Sequence, residues 1–102
     1  MRILKNMICW VIYDIEDNKI RNKIAKACKQ AGLYRVQLSV FLGVLNNTEK
    51  DSLELICKDL INEEKDKLYI FPMSKDELKQ TVLLGQAFDK DFVTDEVKSL
   101  FL

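Results

Sequence analysis

The sequence predicts an α+β fold: a ferredoxin-like sandwich in which an antiparallel sheet carries two helices on one face. Three observations lead there. Hydrophobic periods follow the order strand, helix, strand, a further strand, helix, strand, which is the element order of that sandwich. The chain has 102 residues, 48% hydrophobic and 31% charged, which suits one domain with its own core and leaves no room for a second. No internal repeat, low-complexity block or linker interrupts it. A single domain over residues 1–102 is expected, with 85–102 as a C-terminal arm.

Met7 to Ile15 is almost continuously apolar and rich in β-branched and aromatic side chains, the mark of a central strand covered on both faces. After Asp14, Glu16 and Asp17, which favour a helix start, Ile20, Ile24, Ala27, Cys28 and Ala31 recur at helical spacing, with Lys19, Lys23 and Lys26 on the wet side. Gly32 stands where a left-handed terminator is wanted. From Tyr34 to Leu45 the period changes to two: Val36, Leu38, Val40 and Leu42 form one row, and Arg35, Gln37, Ser39 and Phe41 project together from the other. Gly43 is expected to bend this stretch or split it in two. Thr48 with Asp51 resembles a capping box opening a second helix, whose buried stripe is Leu53, Ile56, Cys57, Leu60 and Ile61. The loop Asn62 to Lys67 leads to a strand from Leu68 to Met73, and Pro72 puts the later part of that strand at a sheet edge or end. Ser74 with Glu77 caps a short helical turn, and another strand is expected from Thr81 to Leu84. The tail Gln86 to Leu102 is too apolar at Val97, Leu100, Phe101 and Leu102 to stand in water, so docking on a neighbouring chain or sheet edge is expected. The uncovered face of such a sheet needs a lid, which a dimer formed sheet to sheet supplies.

Composition removes whole classes of chemistry. With no histidine, the commonest general acid–base, the Ser/His and Cys/His nucleophile pairs and the usual zinc site are all excluded. Cys9, Cys28 and Cys57 are odd in number and far apart, as expected of reduced thiols in a cytoplasm, and buried structural roles suit them. The longest apolar run, Met7 to Tyr13, is far below the ~18 to 20 residues that span a bilayer, so no membrane partner is expected. Sixteen basic residues balance sixteen acidic ones, yet residues 1–50 hold 9 against 4 and residues 51–102 hold 7 against 12, a charge of +5 facing −5. No acid occurs from Asn18 to Thr48, a stretch that holds Lys19, Arg21, Lys23, Lys26, Lys29 and Arg35. An anion belongs there, although a lysine-studded helix face also reads as solvated surface.

Asp14 is the first residue to single out, since it follows the first strand at its carboxyl end, where open sheets place function; capping the next turn is the other reading. In the absence of histidine, an oxygen-seeking cation such as Mg²⁺ is the most available catalyst, and a two-fold axis near Asp14 would turn one carboxylate into a pair. No Walker-type or dinucleotide-binding glycine loop and no RNP1-like segment is present.

Tyr13-Asp14-Ile15, then Asp17, Arg21, Lys23, Gly32-Leu33 and the run R-x-Q-x-S-V-F-x-G from Arg35 to Gly43 resemble the second CRISPR-associated (Cas) protein family, the small spacer-acquisition subunit of CRISPR systems. The resemblance is strong from Met7 to Met73 and looser along the tail. It implies a ferredoxin-like homodimer with facing sheets. It also implies a metal-binding role for Asp14 beside its symmetry mate, with Tyr13 flanking it, and nuclease roles for Arg21, Arg35 and Phe41. Lys23 replaces an arginine of some members and loses the planar fork, and Ser39 belongs to the same strand motif. The family start falls at Met7, which leaves Met1 to Asn6 as an upstream start or a packing extension.

The resemblance implies a Mg²⁺-dependent endonuclease on single-stranded RNA or duplex DNA, with Lys19, Arg21, Lys23, Lys26 and Arg35 on the nucleic acid. Its alternative is a noncatalytic DNA-binding dimer that scaffolds the partner integrase, the first Cas protein, engaged by the apolar tail. A ligand-sensing regulatory domain of the same topology is the remaining reading.

Overall fold

The computed structural model describes residues 5–85. Strand β1 (Met7–Asp14) is central in a four-stranded sheet of order β2-β3-β1-β4, with β2 at Tyr34–Gln37, β3 at Val40–Leu45 and β4 at Lys67–Met73. All three pairings are antiparallel. Helices α1 (Asn18–Gln30) and α2 (Asn47–Leu60) connect the strands, and α3 (Lys75–Gln80) follows β4. The expected sandwich is present.

Alternation along β1 divides the core in two. Cys9, Val11 and Tyr13 face α1 and α2 and pack with Ile24, Cys28, Phe41, Leu45, Leu53 and Cys57. Ile8 and Trp10 face the other way, packing with Leu42 and with Leu78 of α3; Val36, Val40, Val44 and Met73 are only partly buried there. Trp10 Nε1–H donates to the Met73 sulfur at 3.2 Å. The helix-covered face is complete, while on the open face Tyr69 and Phe71 remain 49% and 45% exposed, stacked at 5.8 Å.

Helix ends follow local chemistry. Asp17 caps α1 by accepting the Ile20 N–H at 3.0 Å, and that bond holds its carboxyl below the usual range. At the other end Gly32 takes φ +92°, with Leu33 N–H bonding Cys28 O and Gly32 N–H bonding Lys29 O, a Schellman termination as the glycine led one to expect. Ser74 and Glu77 form the expected capping box on α3. The cap of α2, however, is Asn46 with Glu49, two residues before the expected Thr48 and Asp51. Both pairs have capping spacing, and the choice is made by where β3 ends, at Leu45.

Four other expectations change. The long Tyr34–Leu45 segment splits at a turn of Leu38 and Ser39, not at Gly43. Gly43 is buried, and a Cβ on it would stand 2.8 Å from Leu33 Cδ2 and 3.1 Å from Leu33 Cα, so its function is close approach of the chain leaving α1. Ile56 is exposed, whereas Leu53 and Cys57 are buried, so the α2 stripe is narrower than its spacing implies. Thr81–Leu84 forms no strand: Thr81 caps the end of α3, and Val82 and Leu84 face water. Pro72 lies on the edge strand β4, as expected. The arm from residue 86 and residues 1–4 lie outside the described residues. Among the described residues no helix is long and apolar enough to cross a membrane.

Candidate active site

The candidate site lies where β1 ends beside the β2–β3 turn. Asp14 is exposed there, one residue after Tyr13, whose backbone N–H donates to Ser39 O at 3.1 Å. Because alternation puts Tyr13 on the helix face, Asp14 stands on the open face with Ile8, Trp10 and Ile12. Asp14 is thus at the rim of the incompletely covered apolar surface.

Tyr13, Arg35 and Phe41 converge on one peptide oxygen. Leu38 O accepts from Tyr13 Oη at 3.3 Å, from Arg35 Nε at 3.2 Å and from Arg35 Nη2 at 2.9 Å. The guanidinium lies 5.3 Å from the centroid of the Phe41 ring, which in turn stacks on Tyr13 at 6.4 Å. Burial raises the Tyr13 phenol above its ordinary range, and the Arg35 guanidinium beside it, helped by Arg21, partly offsets that rise. The phenol therefore stays protonated and serves to hold the turn. Arg35 directs two of its five donors, from Nε and Nη2, to the turn.

The predicted row of Arg35, Gln37, Ser39 and Phe41 does not project together. Arg35 pairs with Phe41, but the register shifts before Gln37, which pairs with Val40 on the opposite face. Phe41 is fully buried and Ser39 is part of the turn. Phe41 therefore supports the Arg35 guanidinium from within the core. The basic helix also divides. Lys19, Lys23 and Lys26 share an exposed stripe, and at about 100° per residue Arg21 points away from it, toward Tyr13. Among the predicted residues, the structure groups Tyr13, Asp14, Arg21, Arg35 and Phe41 at one sheet end and leaves Lys23 and Lys26 farther along α1.

Two residues at that end were not anticipated. Lys67 opens β4 directly across from Asp14, and Lys65 lies close enough to Asp17 to help lower its carboxyl. Both belong to the acidic half of the chain, so the charge count conceals them; only the pairing of β4 with β1 brings them here. Among the described residues no three His, Cys, Asp or Glu side chains gather as a metal-binding group.

The family model for CRISPR associated protein Cas2 matches residues 7–81. The chain belongs to the Cas2 family. It is 32% identical over 81 residues to the CRISPR-associated endoribonuclease Cas2 of Korarchaeum cryptofilum, covering 79% of this chain and 87% of that protein. It is 40% identical over 70 residues to the CRISPR-associated endonuclease Cas2 of Halalkalibacterium halodurans, covering 64% and 72% of the two chains. The crystal structure of Streptococcus pyogenes Cas2 at pH 6.5 superposes with a TM-score of 0.68 at 26% identity, over 78% of this chain and 100% of that one. The Cas2 match spans Tyr13, Asp14, Arg21, Arg35, Phe41 and Lys67 alike, so the whole sheet end falls within the family's own region.

Proposed function

We propose that this Cas2 chain is a metal-dependent endonuclease that works as a homodimer closed across the open sheet face, with Mg²⁺ held between two Asp14 carboxylates. The observation that carries the reading is the placement of Asp14 on the same face as Ile8, Trp10 and Ile12. A second copy covering that apolar face brings its own Asp14 to the same rim. The relatives named endoribonuclease or endonuclease supply the reaction class, hydrolysis of phosphodiester bonds.

The donor set fits the cation. Mg²⁺ takes one or two carboxylates and completes its shell with water and substrate phosphate, so an exposed carboxylate and its symmetry mate suffice. When bound, the metal lowers the pKa of a water nucleophile and stabilises charge on the phosphoryl oxygens. The chain's own residues do the rest. Arg35, steadied by Leu38 O and the Phe41 ring, turns its free N–H groups to a phosphate; Arg21 adds a second cation; Tyr13 fixes the turn beside Asp14. Lys19, Lys23 and Lys26 extend the path for the strand along α1.

Single-stranded RNA is the first substrate to test and duplex DNA the second, each with Mg²⁺ and with chelator. Asp14→Asn is expected to abolish cleavage while leaving folding and dimer mass unchanged; undiminished cutting by that variant overturns the reading. A second reading is favoured by the cations gathered at this sheet end, with Arg21 and Arg35 near Tyr13, Lys65 near Asp17 and Lys67 paired with Asp14. In it the dimer is a noncatalytic DNA platform for the partner integrase in spacer acquisition. Asp14→Asn then leaves spacer acquisition intact, and deletion of residues 85–102 weakens integrase binding.

A further inference from the structure

Residues in register on an antiparallel pair present their side chains to the same face. Lys67 is in register with Asp14, so its ammonium and the Asp14 carboxylate share the rim of the open face. No ion pair joins the two among the described residues, where the one recorded pair is Lys50 with Asp51. Lys67 therefore stands beside the carboxylate without being neutralised by it.

The loop before Lys67 is braced. Asp66 is 9% exposed, the one buried charged or polar residue among those described. A buried carboxylate is costly unless hydrogen-bonded. This one accepts the Asn62 N–H at 2.9 Å, while Asn62 O receives the N–H groups of Lys65 at 3.1 Å and Asp66 at 2.8 Å, and Asn62 Oδ1 receives Glu64 N–H at 3.0 Å. Four local bonds centred on Asn62 hold the backbone that delivers Lys65 toward Asp17 and Lys67 toward Asp14. Two lysine side chains start from fixed points, which limits the entropy lost when they bind.

We propose that Lys67, with Lys65 beside it, is a phosphate-binding residue that seats the backbone of a nucleic-acid strand next to Asp14 at the rim of the open face. Arg35 and Arg21 lie on the helix side of this sheet end, by Phe41 and Tyr13, so Lys67 is the cation that shares a face with Asp14. Lysine suits this position as a point charge that follows a phosphate without fixing its orientation. The inference deepens the nuclease reading and rests on it for the class of ligand.

The test is equilibrium binding of the whole chain to a single-stranded RNA and, separately, to a duplex DNA, with chelator present so that nothing is cut, over about 50 to 200 mM salt. Lys67→Gln is expected to weaken binding and to reduce the slope of log affinity against log salt by about 0.7 per contacting chain on the single strand or about 0.9 on the duplex, and Lys67→Arg to restore it. The arm in which the slope changes identifies the strand type. Lys5→Gln removes the same charge beyond the opposite end of β1, a strand about 23 Å long at about 3.3 Å per residue, and is expected to leave the slope alone. An unchanged slope in Lys67→Gln, or an equal loss in Lys5→Gln, overturns the proposal, while Mg²⁺-dependent cleavage by the wild type still upholds the nuclease reading. A reduced slope in Lys67→Gln with no cleavage under any condition sustains the phosphate contact and removes that reading.

Discussion

The two faces of the sheet solve the same problem to different degrees. On the helix face, Cys9, Val11, Phe41 and Leu45 disappear beneath α1 and α2, and every large side chain in that layer finds neighbours within the chain. On the open face, the six-residue helix α3 covers Ile8, Trp10 and Leu42 through one leucine, Leu78, and Tyr69 and Phe71 lie stacked but half in water. Under the proposed dimer the two faces divide the labour: one folds the chain, and the other is left for a second copy. Asp14 stands on the second face, so in that proposed dimer its role is tied to association and not to folding.

The largest expected effect breaks the first face. Phe41→Ala removes a fully buried ring and is expected to cost about 3 to 5 kcal/mol of unfolding free energy, read as a fall in the urea midpoint. It also removes the surface on which the Arg35 guanidinium rests, so loss of stability and loss of phosphate affinity should appear together. The open face predicts the reverse pattern. Phe71→Glu is expected to change chain stability by about 0.5 kcal/mol or less. Burying the exposed half of one phenyl ring contributes about 0.7 to 1.5 kcal/mol, and a two-fold interface buries two, so dimer dissociation should rise at least about tenfold. Sedimentation equilibrium reads this directly; an unaltered dimer mass would remove Phe71 from the interface.

How far the sequence announces this arrangement depends on the range of the signal. β1, α1 and the caps at Asp17, Gly32 and Ser74 are legible because each rests on residues within a few positions of one another. The β2–β3 turn is not, because Leu38 has no turn chemistry, Ser39 has only the weak kind, and the alternation of period two runs straight through them; the shift before Gln37 then reverses one row. Arg35 and Phe41 do share a face as their parity requires, but parity cannot say which face the helices cover. Lys67 is hidden for the same reason in stronger form: it lies 53 positions from Asp14, and register alone makes them neighbours.

An intermediate effect is expected where the folded face leaves no room. At Gly43 the nearest atoms to an added methyl are Leu33 Cδ2 and the Leu33 backbone, and only the first can move easily. Gly43→Ala should therefore cost about 1 to 3 kcal/mol, as overpacking does, and leave dimer mass unchanged. A neutral result would show that the chain after α1 shifts freely, and that the covered face is looser than its burial implies.

The smallest effect separates the faces by pH. All three cysteines lie on the helix face, where burial pushes Cys28 up to about 12, with Cys57 nearby adding to the rise, and pushes Cys9 and Cys57 up to about 11, Lys50 slightly opposing the shift at Cys9. In the unfolded chain a thiol titrates near 8.5 to 9, roughly the ordinary value. Above that pH the unfolded state has fewer bound protons than the folded state, so stability is full below about pH 9 and declines as pH rises toward 11 and 12. Each thiol contributes at most about 1.4 kcal/mol per pH unit to this decline. Cys28→Ala should lower the baseline through lost packing yet flatten the slope of urea-derived stability between about pH 9.5 and 10.5 relative to wild type. No cysteine stands on the open face, so this substitution should leave the pH dependence of dimer dissociation as it is in the wild type. If the association curve flattens along with the stability curve, the two faces are coupled through the core, and the separation of folding from partnership does not hold.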